Sequence, residues 1–523
     1  MRVKKGCLFL LTIIISFNVL AFEKFYEMGW VAPDSPLDVS LQNKQKLTSI
    51  YQAQGYQLIW YNPEAAQRFE EQLSLLHYSE ISPYFSFRYK KLKEYRESHM
   101  MFDYDLLATD TLISYVSYSK SAQEQGNNWY FNGMVELPLT GFVKNDLTFL
   151  SNVVSSSALK NYISMHAPAN FEFYLRAISQ LKNYQQNSSQ GNYIQHGIKK
   201  KGDKLSEKDK VALIAKLSAV GLPVQSIDVG NNLFDAQLSL VVKTFQKQHG
   251  LKSDGVIGAD TLYWLNLPVE ERIRILALNS ERTRMMPNER DSLIVVNVPN
   301  FRMSYWHDGK PVFRSKVIVG KRSRKTPLLD VRLDSMIINP TWNVPKKLVY
   351  KDILPKVKRD VSYLEKNHFK VLKNGYFGEE VDPGSINWDE VSVHKYFPYQ
   401  LRQDSGSRNA LGRYKFNTPN KKAIYLHDTP TKYLFDRESR AFSSGCIRVQ
   451  HADMFADVLL KTQGIDSNPA EYVQSDEKRL IPMKKPIPVK IVYQTAWYQS
   501  GYINYRKDIY NYDSGVKALA KTK

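Results

Sequence analysis

The stretch "SSGCIRVQ", Ser443 to Gln450, sets Cys446 in a Ser-Ser-Gly turn, and its reading decides the chain. Cys446 is one of two cysteines in 523 residues. The other, Cys7, lies in an almost unbroken apolar run from Cys7 to Leu20, preceded by Arg2, Lys4 and Lys5 and followed by a cleavage position after Ala21. That layout is a secretory signal peptide, 1–21, and implies an exported chain. The run falls short of the roughly 20 residues that span a bilayer comfortably; left uncut, it would anchor the chain in the inner membrane. Cleavage removes Cys7 and leaves Cys446 without a disulfide partner. A free thiol in an oxidising compartment is either buried as a small apolar side chain or kept for its chemistry.

The neighbours of Cys446 bear on that choice. Ala423 to His427 is a short β run ending at His427; a loop then returns through Ser443, Ser444 and Gly445 to Cys446. After Val449, "HADMFADVLLKTQG" (451–464) reads as a helix with Phe455, Val458 and Leu459 inward and Gly464 closing it. His427 and Cys446 therefore both sit where an element meets a loop. A cysteine nucleophile needs a nearby base or positive charge, and a histidine supplies both, taking the proton and later giving it to a leaving amine. Gly445 permits a tight turn and close approach of a substrate carbonyl, and the N–H groups around Gly445 and Cys446 are placed to donate to an oxyanion. Ser443 and Ser444 are candidate donors around the thiolate. Tyr425 shares the sheet face of His427 by strand alternation and is a candidate pocket residue. Arg448 suits bidentate binding of a carboxylate, or equally braces the loop. His451 is a second candidate base, less well controlled at the start of a helix.

The rest of the chain divides by pattern. Residues 22–204 are mainly helical: "QNKQKLTSIYQAQGY", "PEAAQRFEEQLSLL" and "FEFYLRAISQLKNYQQ" carry apolar residues at helical spacing, without a chemistry-bearing cluster, and close on the polar stretch 187–204. Residues 205–268 read as three short helices. Gly221 and Pro223 end the first; Asp235 caps the second, whose apolar face is Leu238, Val241, Val242 and Phe245; Gly250 ends it. Residues 269–291 hold an amphipathic linking helix that packs back on the scaffold. From Ser292 the pattern alternates as in strands, with a hairpin turn at 307–309 and further runs at "SMIINPTWNVP", "RYKFN", "AIYLH" and "VKIVYQTAWYQ". The mixed stretch of about 346–400 interrupts them, as a lid over a cleft or as surface decoration. Residues 501–523 form a tail. The net charge of +20 suits an anionic partner such as a wall polymer. The basic residues are dispersed and no nucleic-acid motif is present, which argues against nucleic acid. Grouped His and Asp ligands for a metal are also lacking.

Two stretches resemble known families. "FQKQHGLKSDGVIGADTL" (245–262) is similar to the peptidoglycan-binding domain of wall enzymes. "IYLHDTP", with Cys446 in "SSGCIRV" nineteen residues after His427, resembles the catalytic motif of L,D-transpeptidases, a histidine followed by Ser/Thr-x-Gly-Cys. "NVPNFRM", Thr326-Pro327, "NPTWNVP", "NALGRYKF" and "VYQTAWYQSGYINYRKDIY" extend the likeness. Ser444 stands where many members have a second histidine, and Arg448 where many have asparagine; both suit the large multi-domain subgroup.

The resemblance implies a multi-domain α+β fold. Its parts are a helical scaffold (22–204), a three-helix peptidoglycan-binding domain (205–268), the linking helix, and a mainly β catalytic domain (292–500) with a capping insertion at about 346–400. It further implies that Cys446 attacks the carbonyl of the third residue of a tetrapeptide stem, releasing D-Ala and forming a thioester. The side-chain amine of a second stem then resolves the thioester into a 3→3 cross-link, with His427 moving the proton. In this family a backbone carbonyl often holds the histidine, so Asp428 ranks low as a third member. No cofactor or metal is implied. The implied partners are peptidoglycan and other wall-synthesis proteins, and the compartment is the periplasm. Water as acceptor would make the enzyme an L,D-carboxypeptidase, and a protein amine would make it an anchoring enzyme. The non-enzymatic alternative is a wall-binding scaffold. Papain-like peptidases place cysteine before histidine, the reverse of the order here.

Overall fold

The computed structural model describes residues 39–514, apart from 62, 154–155, 188–192, 194, 196, 288–289 and 393–396. The expected signal peptide and Cys7 lie outside the described residues. Among the described residues no helix is long and apolar enough to cross a membrane. The chain forms two compact units, 1–287 with 495–523, and 288–494.

The first unit is built around the helix Met101–Trp129, buried almost continuously from Phe102 to Tyr118. A helix buried on nearly all sides is wrapped by others, here by Lys44–Ala53, Pro63–Ser79 and Pro83–Glu97. Its buried polar groups are paired. The Asp105 carboxylate accepts from the N–H groups of Ile59 (2.9 Å) and Trp60 (2.7 Å) and from the Tyr51 hydroxyl (2.5 Å).

The helices Glu207–Ala219, Ala236–Gln248 and Ala259–Leu265 form the expected triplet. Asp235 caps the second by accepting from the Leu238 N–H at 2.8 Å; Leu238, Val241, Val242 and Phe245 are buried, and Gly250 follows at φ +68°. The triplet does not stand alone. Phe171, Tyr174, Ile178 and Leu181 of the helix Phe171–Asn187 share its core, so the boundary expected at residue 204 does not divide the packing.

Two further expectations need correction. The helix Val269–Arg282 was expected to be an amphipathic linker, yet every residue from Arg272 to Arg282 is buried. The strand read across 489–499 breaks, and the second compact unit ends at Gln494, six residues before the limit of 500 expected for the catalytic domain. Ala496–Gln499 pairs instead with Tyr502–Tyr505 as a hairpin of the first unit. Aromatic packing drives this: Tyr498 stacks on Phe173 (centroids 3.5 Å apart) and Tyr505 on His249 (4.9 Å). The tail is tied down by the Asp513 carboxylate, which accepts from Arg282 Nη1 (2.7 Å) and Thr495 Oγ1 (2.6 Å).

The second unit contains strands β1 (Ser292–Asn297), β2 (Arg302–His307), β3 (Lys310–Gly320) and β4 (Leu329–Ile338). These are followed by β5 (Trp342–Asn343), β6 (Phe369–Lys373), β7 (Glu380–Val381) and β8 (Tyr399–Gln403). Last come β9 (Tyr414–Asn417), β10 (Leu426–His427), β11 (Ala441–Ser443), β12 (Ile447–Val449) and β13 (Arg479–Val492). The main sheet runs β11-β3-β12-β10-β9-β4-β13-β1-β2, and β2 also pairs with β3, which closes it into a ring with β11 outside. The helix Ala452–Gln463 fills one mouth, with Phe455 against Phe313, Phe416 and Tyr305. The insertion spans 342–403. Its sheet, β5-β8-β6-β7, covers a core of its own that includes Val344, Ile353, Leu364, Val371, Trp388 and Leu401. It is a small packed subdomain rather than a loop excursion.

Replacing Asp513 by alanine strands the buried Arg282 charge. The expected cost is about 3–5 kcal/mol, read as a lower urea midpoint for the first unit; an unchanged midpoint would show that the pair does not hold the tail.

Candidate active site

The site is assembled by the pairing of β10 with its two neighbours. In the parallel pair with β12, Leu426 lies opposite Ile447 and His427 opposite Arg448. In the antiparallel pair with β9, Leu426 lies opposite Phe416 and His427 opposite Lys415. Leu426, Ile447 and Phe416 are completely buried in the interior. Successive side chains of a strand alternate faces, so His427, Arg448 and Lys415 share the other face. One step earlier, the Ile447 N–H donates to the Tyr425 carbonyl at 3.1 Å, which sets Tyr425 beside Cys446 on that same face.

The turn that carries Cys446 is braced from within and below. Ser443 Oγ donates to the Cys446 carbonyl at 2.5 Å and accepts from the Gly445 N–H at 3.1 Å. Thr326 Oγ1 donates to the Gly445 carbonyl and accepts from the Gly320 N–H, each at 2.8 Å. Gly445 has φ +126°, and a Cβ there would press on Ile424 Cδ1 at 3.3 Å. Only glycine takes that backbone without strain.

These bonds correct part of the sequence reading. Ser443 serves the backbone of the turn rather than the thiol. Ser444 is exposed, and its Oγ accepts from Arg324 Nη1 at 2.7 Å. The Gly445 N–H is committed to Ser443, which leaves the Cys446 N–H, without an acceptor among the described residues, as the candidate oxyanion donor.

His427 is buried, and its Nδ1 donates to the backbone carbonyl of Asp428 at 2.5 Å, which leaves Nε2 as the basic nitrogen. The tautomer is assigned from that bond. The Asp428 carboxylate is occupied elsewhere, accepting from the Arg413 N–H at 2.9 Å and from Lys432 Nζ. The group that holds the imidazole is therefore a backbone carbonyl rather than the Asp428 carboxylate. Burial, with the Arg448 cation, pulls His427 down to about 3, so the ring is neutral across the physiological range. Cys446 is half-buried with Sγ 3.7 Å from the Ala423 carbonyl. Burial pushes its thiol up, while Tyr425, Lys415 and Arg448 act against that rise.

Tyr425 meets His427 edge-on at 5.7 Å, and Lys415 Nζ lies 4.6 Å above the Tyr425 ring centroid. Arg448 donates from Nη1 to Thr431 Oγ1 at 3.1 Å, a brace, while its buried Nε has no partner among the described residues. His451 is exposed and opens its helix in the left-handed region, φ +55°. A groove of about 300 Å³ adjoins the sulfur, lined by Asp334, Lys415, Asn417, Asn420, Ala423 and Tyr425 among others. Among the described residues no group of three or more His, Cys, Asp or Glu side chains is placed to hold a metal.

Three contributors were not singled out from sequence. Thr326 was noted only as part of a Thr-Pro pair. Lys415 was detectable, since Tyr414 and Phe416 are buried on either side of it and alternation turns it to the opposite face. Arg324 had no local signal; its guanidinium pairs with Asp352 of the insertion (Nη2 to Oδ1, 2.8 Å) as well as with Ser444.

Residues 291–471 match the L,D-transpeptidase catalytic domain, 45–178 a scaffold domain, and 207–265 a putative peptidoglycan binding domain. A putative L,D-transpeptidase of Haemophilus influenzae is 42% identical over 242 residues, which are 46% of this chain and 48% of that protein. The match thus spans about half the length of that curated relative. Among solved structures, an L,D-transpeptidase from Stackebrandtia nassauensis is 12% identical, covering 59% of this chain and 97% of its own, with a TM-score of 0.21. L,D-transpeptidase 1 of Mycobacterium tuberculosis is 11% identical, covering 39% and 61%, with a TM-score of 0.16. The histidine, the glycine-cysteine turn and most of the closed sheet that aligns them thus lie within the residues that match the L,D-transpeptidase catalytic domain, in a chain that also matches a scaffold domain and a putative peptidoglycan binding domain.

Proposed function

We propose that the protein is a peptidoglycan L,D-transpeptidase that forms 3→3 cross-links through a thioester on Cys446. The observation that carries this reading is the alignment of Cys446 and His427 on one face of β10 and β12, with Nδ1 of the histidine held by the Asp428 carbonyl. In the reaction, Sγ bonds to the carbonyl carbon of the third stem residue while the thiol proton passes to His427 Nε2. The carbonyl electron pair moves to oxygen, where the Cys446 N–H donates to it. The carbon–nitrogen bond to D-Ala then breaks, and His427 returns its proton to the leaving amine. The amine of a second stem attacks the thioester, loses its proton to His427, and the sulfur leaves as the thiol regains one. The groove beside Tyr425 is the entry for one stem peptide, and the peptidoglycan-binding domain supplies affinity for the polymer. Export by the signal peptide places this work in the periplasm.

The deciding assay incubates purified protein with disaccharide-tetrapeptides and follows products by mass spectrometry. Dimers with a 3→3 bond and released D-Ala are expected, and Cys446→Ala is expected to yield neither. Tripeptide without dimers would redirect the reading to a carboxypeptidase, and the absence of both product and acyl-enzyme would refute an enzymatic role. Removing the base by His427→Ala should lower kcat/KM by about 10²–10⁴-fold. The pH profile is also specified. The base works as neutral imidazole, and its folded value is about 3, so histidine protonation should cause no loss of kcat/KM between pH 7 and 5. An acid limb centred near the ordinary histidine value of about 6.5 would contradict this assignment.

A further inference from the structure

The cycle above leaves Lys415 without a part. Lys415 lies directly opposite His427 on β9, while Arg448 lies directly opposite it on β12. The imidazole therefore stands in a row between two cations on one face of the sheet. A second proton on the ring would add a third positive charge there, which like-charge repulsion disfavours. An imidazolium is thus poorly placed to be the counter-charge of a thiolate. Lys415 is half-buried, and no carboxylate pairs with it among the described residues. Ammonium groups withdrawn from water are usually paired. Its Nζ lies over Tyr425, the residue that flanks Cys446. The influence runs both ways: the sulfur raises Lys415 against the lowering effect of burial, and Lys415 lowers the thiol.

We propose that Lys415 is a positioning residue that supplies the positive charge stabilising the Cys446 thiolate, in place of a protonated His427. The inference rests on Cys446 being the nucleophile. The other charged or titratable groups acting on the sulfur are Tyr425 and Arg448, and His427 lies opposite Arg448 on the same face. Lys478 acts on Lys415, Asp334 lines the adjoining groove, and Arg324 with Asp352 reaches Ser444.

The test is the pH dependence of Cys446 alkylation by iodoacetamide in the full chain, with Cys446→Ala as the blank for Cys7. Lys415→Met is expected to raise the midpoint by about one pH unit, slowing alkylation below it about tenfold. Lys415→Arg, which keeps the charge, is expected to retain the native midpoint. Lys415→Gln repeats the measurement should the methionine variant fail to fold. A midpoint unmoved by loss of the charge, or moved as far by arginine as by methionine, overturns the proposal. Alkylation needs no stem peptide, so a shifted midpoint stands even if the cross-linking assay fails, and the reverse holds equally.

Discussion

Two backbone pairings of a two-residue strand carry the site. β10 is only Leu426 and His427, yet it lies between β9 and β12 in a closed sheet. Leu426, Ile447 and Phe416 bury completely on the inner face. Each such side chain contributes about 1.5–3 kcal/mol relative to exposure. A slip of one residue would exchange these three for His427, Arg448 and Lys415, putting two charges in the core. The apolar side of the sheet thus enforces the register, and the register aligns the reactive side. Histidine and cysteine come from neighbouring strands separated by a loop, and the sheet positions both.

The same alignment shapes the electrostatics. Burial and Arg448 keep His427 neutral, as the proposed role of general base requires. Burial alone would leave Cys446 a poor nucleophile, because desolvation disfavours the thiolate. Fixed cations on neighbouring strands oppose that penalty without consuming the proton acceptor. The proposed separation of base from counter-charge rests on three adjacent strands presenting side chains on one face.

The two departures from the commoner motif find structural reasons. Ser444 accepts a hydrogen bond from Arg324, whose guanidinium also holds Asp352 of the insertion, so the nucleophile turn and the capping subdomain meet through one side chain. Arg448 reaches Thr431 in the loop after His427 and ties the two halves of the site together. The serine pair is not a set of donors to sulfur. Ser443 closes the turn around Gly445, and Thr326 anchors it from β3 to β4.

Much of this was legible in the residues alone. Alternation and helical spacing exposed the strands, the three short helices and the Asp235 cap, because those patterns follow local periodicities. The spacing of His427 and Cys446, the glycine before the thiol and the absence of a second cysteine after residue 21 marked the reactive pair, because each is a property of residue type and order. What the residues could not declare depends on partners distant in sequence. The strand read through 489–499 breaks after Val492 because the aromatic surface at Phe173 competes for its second half through Tyr498. The linking helix is buried on every side because the chain returns over it at Thr495 and Asp513. The direction of the Gly445 N–H, the carbonyl that holds His427 and the facing of Lys415 toward the sulfur arise only when β9, β10 and β12 are brought into register. Local pattern assigns a residue to an element and a face; long-range packing decides what stands opposite it.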